Sequence, residues 1–193
     1  MHLTFKEQQI ITDTDFLITK TEVVKKIHAQ FEEARKHIKN VIAKSEFNFS
    51  NNIDTENGKI FRGENYRSLP YLVLDYPKLF SKESTFAYRT MFWWGNLFSS
   101  TLHLEGNELE KYNAVILTNY KLLIEEDVFI SVGTTPWEYH YEKSNYELID
   151  ETNYKLIKNC KFLKLSKKFD LSDFDNLPKL SANYFSILLS ILS

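Results

Sequence analysis

The residues best suited to chemistry lie in one stretch, Lys59 to Glu105: Arg62, Glu64, Arg67, Asp75, Arg89 and His103. An Arg guanidinium meets a carboxylate or phosphate through two parallel hydrogen bonds, and aromatic neighbours such as Tyr66, Trp93 and Trp94 stack on a flat ligand or wall its pocket. These residue types predict a ligand-binding set of Arg62, Glu64, Tyr66, Arg67, Arg89, Trp93 and His103 for a small anionic or planar molecule. The same residues also permit a purely internal arrangement. In it Glu64 or Asp75 pairs with Arg89 at the core margin, and the Trp rings are packing.

For catalysis His103 is the best candidate, since imidazole titrates near neutrality, and Glu64 and Asp75 are the carboxylates that would work with it. This is the alternative of a hydrolase-like acid/base enzyme. A Ser99, His103, Asp75 triad is not expected: no G-x-S-x-G elbow is present, and side chains four apart on one strand are roughly 13 Å apart. Glu64 with Asp75 or Glu105 would form the paired carboxylates of a glycosidase-like site. Walker, dinucleotide-fingerprint, H-E-x-x-H, EF-hand and Cys/His zinc patterns are missing from the sequence, so neither a cofactor nor a metal is expected. The pairs His28/Glu32 and Glu33/His37 have helical spacing, which reads as surface polar pairing rather than as metal ligands.

Composition narrows the classes further. The 193 residues suffice for one domain with its own core, and 43% hydrophobic with 26% charged residues excludes a disordered chain. The 24 basic and 26 acidic groups leave a net charge of -2, which gives no field for nucleic acid or an anionic membrane. A single cysteine, Cys160, forms no internal disulfide and reads as a small buried hydrophobe. With neither a signal peptide nor a membrane span in the pattern, the expected location is cytoplasmic.

The elements that must position these residues follow from periodicity. Residues 1–18 read as an edge strand or an irregular arm. Thr19 and Glu22 have capping-box spacing, and Val24, Ile27, Phe31, Ala34, Ile38 and Val41 then mark one stripe of a helix over 19–44. Residues 45–58 are loop. Strands are predicted over 71–76, closed by Pro77, and over 85–94 and 97–105, the last two forming a hairpin about Gly95 and Asn96. In that hairpin Arg89 and His103 project to the same side. A helix follows over 108–120, then short strands over 128–132 and 137–141 and a turn-rich stretch over 142–160. Residues 162–169 read as an edge strand guarded by Lys, and the terminal stretch from Leu177 as a docking helix. The fold class is α+β: one domain, 1–193, with a mainly antiparallel sheet centred on 70–105 and the N-terminal and C-terminal helices packed on it.

The stretches RGENYRSLPYLVLDYP and RTMFWWGNLFSSTLHLEG resemble an uncharacterised conserved protein family of Bacteroidetes-type bacteria, over roughly residues 20–120. The succession of long helix, aromatic hairpins and terminal helix is also similar to small α+β proteins of the YktB type. The resemblance implies a compact cytoplasmic domain and assigns no catalytic residue. A protein-interaction module, pairing through exposed aromatic surface as a homodimer, is the third functional expectation.

Overall fold

A computed structural model describes residues 2–193. Two helices come first, α1 (Phe5–Thr12) and α2 (Thr14–Lys44), followed by strands β1 (Lys59–Tyr66), β2 (Leu69–Phe80), β3 (Ser84–Trp93) and β4 (Leu97–Gly106). Helices α3 (Asn107–Thr118) and α4 (Tyr120–Glu125) lead to β5 (Phe129–Ser131), β6 (Tyr146–Leu148), β7 (Phe162–Phe169) and the final helix α5 (Leu177–Leu192). The strands form one antiparallel sheet in the order β1-β2-β3-β4-β7-β5-β6. The chain is thus an α+β protein with the long N-terminal helix and the C-terminal helix on the sheet.

One face of the sheet is apolar because every second residue of its central strands is. Leu72, Leu74 and Tyr76 of β2, Phe86, Tyr88 and Phe92 of β3, and Phe98, Leu102 and Leu104 of β4 are buried there against Ile27, Phe31, Ala34 and Ile38 of α2 and against α5. Each such side chain stabilises the fold by ~1.5–3 kcal/mol relative to exposure. A small polar lock sets the position of α5: Tyr88 donates to the Ser181 carbonyl at 2.6 Å, and the Ser181 hydroxyl lies 2.8 Å from Thr90 Oγ1 and 3.0 Å from Ser100 Oγ.

Five expectations change. The capping box that starts the helical region is Thr4 with Glu7, and α2 begins at Thr14 under an Asp13 cap, so residues 5–12 and 14–18 are helical and Thr19 lies inside α2. β2 does not end at Pro77; it runs to Phe80 through a register shift between Asp75 and Lys78, where the ladder is already interrupted and a proline lacking N–H is tolerated. Residues 137–141 are not a strand. β7 is not an edge: it pairs with β4 on one side and β5 on the other. On α2, Glu32 and Glu33 pair with Arg35 and Lys36 rather than with the histidines.

Candidate functional site

The second face of the sheet carries the chemistry. Strand alternation puts Asp75 of β2, Arg89 of β3, His103 of β4 and Lys164 and Ser166 of β7 on this side, and the register sets Asp75 opposite Arg89 and His103 opposite Lys164. The segment from Gly133 to Asn145 covers them. Arg89 binds Asp75 through both forks, Nε to Oδ1 at 2.7 Å and Nη2 to Oδ2 at 2.8 Å, and its remaining Nη1 donates to Tyr139 Oη at 3.0 Å. Burial works against this guanidinium, but the hydrogen bonds it donates to Asp75, with the charge of that carboxylate, outweigh it and hold its pKa above the ordinary value.

Lys164 is fully buried, and its ammonium donates to the carbonyls of Pro136, at 3.0 Å, and Glu138. The rings of Tyr139 and Tyr146 lie 4.2 Å and 5.0 Å from Nζ. Burial, reinforced by the nearby Arg89 charge, pulls the Lys164 pKa down to about 7. His103 is pushed further, to about 3, by burial and then by the charges of Lys164 and Arg89. Its Nε2 is buried without a hydrogen-bond partner, and the Glu105 carboxylate stands 3.7 Å away. At neutral pH this imidazole is uncharged and too weak a base for general base catalysis.

The cover is fastened from β1. Tyr66 Oη donates to the Glu138 carboxylate at 2.9 Å and accepts from the backbone N–H groups of Tyr139, at 2.6 Å, and His140, at 3.0 Å. Arg67, in the turn after β1, pairs with Glu142 at 2.8 Å. No family model, curated protein or solved structure matches the chain. What the site can do therefore rests on its own geometry.

The residues expected to bind a ligand divide between two faces. Tyr66, Arg89, Trp93 and His103 lie on the covered face, with Arg67 at its rim, and Asp75 is committed to Arg89. Arg62 and Glu64 lie on the opposite side: Phe61 faces the covered cluster, so Arg62 alternates away, exposed, and Glu64 stands 3.6 Å from Lys20 of α2. Arg62, Arg67, Arg89 and His103 therefore do not converge on one concavity. Among the described residues, no group of three or more His, Cys, Asp or Glu is arranged to hold a metal.

Lys164, Glu138 and Tyr139 were missed as members of this cluster. The alternation of β7 had already placed Lys164 on the face of Ser166 and Lys168. The signal lost was the aromatic density of Trp137, Tyr139 and Tyr141, which is what a segment lying over a buried cation needs.

The most exposed apolar surface lies elsewhere, on the N-terminal arm. No residue of α1 is buried, and Leu3, Phe5, Ile10, Ile11, Phe16, Leu17 and Ile18 are each 44% to 74% exposed. Phe16 precedes Ile27 by about three helical turns, so it extends the buried stripe of α2 beyond the end of the sheet. Where the arm leaves the body, an apolar groove of about 280 Å³ opens between Val23, Ile27, Phe92, Phe98, Leu171 and Phe174.

Proposed function

We propose that this protein is an interaction module that works as a self-associating pair, each copy covering the N-terminal arm of the other. The observation that carries this reading is the exposed apolar arm: no residue of α1 is buried, and Phe16, Leu17 and Ile18 at the start of α2 are each 44% or more exposed. Phe5 and Phe16 alone expose on the order of 250 Å², taking 150–250 Å² for a full aromatic side chain. With their five aliphatic neighbours they offer several hundred Å², the order required by a standard interface of about 800 Å² per partner. The groove at the root of the arm supplies a seat for an aromatic side chain from the second copy.

Charge favours a second copy over a lipid surface. Between His2 and Glu22 the arm carries Lys6 and Lys20 against Glu7, Asp13, Asp15 and Glu22, a mixture that suits a like partner and repels an anionic bilayer. Among the described residues no helix is long and apolar enough to cross a membrane. Binding of a small anion by Arg89 would require breaking its fork to Asp75, and a hydrolase would require a base that His103 does not provide. The arm needs neither change.

Light scattering on the full chain tests the proposal. The expected mass is twice that of one chain, and Phe16→Glu or Ile18→Glu weakens association by about tenfold or more. Both side chains are exposed, so far-UV circular dichroism stays unchanged. A single-chain mass at every concentration, vesicle binding by a monomer, or a dimer indifferent to both substitutions would each overturn it.

A further inference from the structure

A cavity of about 470 Å³ lies beside the covered polar layer, between the end of β5 and the turn that precedes β7. Its polar lining is unusual for a protein of net charge -2: Lys155, Lys161, Ser131, Thr134 and Asn159 contribute, and no carboxylate does. Some lysines pair with acids, as Lys25, Lys36, Lys39 and Lys167 do. Among the described residues Lys155 and Lys161 pair with none, and the Ser131 hydroxyl is buried without a hydrogen-bond partner.

From this lining we infer a binding site for a phosphate monoester with an apolar body. Two ammonium groups, the Thr134 hydroxyl and the Asn159 amide are point donors, which suit the three oxygens of a phosphate; the planar bidentate grip that favours a carboxylate needs an Arg fork, and no Arg lines the cavity. Leu156 and Phe162 supply the apolar wall. Cys160 also lines the cavity, but its thiol donates to the Ile157 carbonyl at 3.2 Å and burial raises its pKa, so it stays protonated and adds no negative charge. The site binds without a covalent step. It is independent of the N-terminal arm.

Phenyl phosphate, with benzoate as the carboxylate counterpart, probes the site by amide chemical-shift titration. Phenyl phosphate shifts the amides of Val132 to Thr134 and Asn159 to Phe162 saturably, and more tightly above pH ~6, where the phosphate is a dianion. Benzoate binds at least about tenfold more weakly. Joint Lys155→Ala and Lys161→Ala substitution weakens phenyl phosphate by about tenfold or more. The lysines are exposed and unpaired, so their replacement leaves the thermal midpoint in place. The inference is overturned by an absence of saturable shifts, by equal binding of benzoate, or by lysine variants that bind as the parent does.

Discussion

Burial pulls the pKa of Lys164 down to about 7, and it pushes that of His103, opposite Lys164 across the β4–β7 ladder, lower still. Their pKa values displace stability in two separate windows. His103 falls from 6.5 to about 3, so between those values the unfolded chain takes a proton that the folded chain refuses, and stability drops as pH falls from 6.5 toward 3. Lys164 falls from 10.5 to about 7, so between those values the unfolded chain again binds more protons, and stability contributed by this group rises with pH across that window. Tyr66 and Tyr139, both pushed up to about 12 chiefly by burial, oppose the rise above pH ~10, where unfolded tyrosines begin to ionise. Urea denaturation as a function of pH should show both slopes, with His103→Asn flattening the acid window and Lys164→Met the alkaline one. An unchanged alkaline slope in Lys164→Met would refute the assignment. At this scale the sequence was half legible: alternation gave the faces of His103 and Lys164, but not of Tyr66, which follows a register shift, or of Tyr139, which lies outside the strands. It could not show that β7 lies inside the sheet, because lysines at alternate positions are also how exposed edges are guarded.

Strands and helices show the same division. Asp75 and Arg89 are register partners, so their ion pair ties β2 to β3 while Tyr139 ties both to the covering segment. Removing one member leaves a buried charge: Asp75→Leu should cost about 3–5 kcal/mol in chemical denaturation, and the double variant with Arg89→Met should recover most of that loss. A double variant as unstable as Asp75→Leu alone would contradict a role limited to pairing. The central hairpin, the α2 stripe and α5 were legible from period alone. The start of the helical region was not, since Thr4 with Glu7 and Thr19 with Glu22 share the same capping spacing, and the apolar residues before Thr19 form no single stripe to choose between them. Residues 137–141 alternate like a strand, yet the N–H groups of Tyr139 and His140 are satisfied by one tyrosine hydroxyl instead of a neighbouring strand.

Across the whole molecule, one sheet separates two kinds of interior. The helical side is apolar and closed by α2 and α5; the other side is a polar layer closed by a loop, with Arg89 spent on Asp75 and Lys164 on the carbonyls of the covering segment. Of the residues that first suggested a ligand site, Asp75 and Arg89 join β2 to β3 and Tyr66 fastens the cover, and further uncovered chemistry lies at the periphery, in the arm and in the lysine-lined cavity. Neither was prominent in the sequence: the arm's apolar residues acquire meaning only once nothing is found beneath them, and Lys155, Lys161 and Ser131 come together only through the fold. Concentration-dependent hydrogen exchange of the arm amides is the most direct measurement of the central claim. If a second copy covers the arm, amides of residues 14–22 slow with increasing protein concentration toward the protection of residues 27–38, and Phe16→Glu abolishes the concentration dependence. Rapid exchange of residues 14–22 that is the same at every concentration would contradict it.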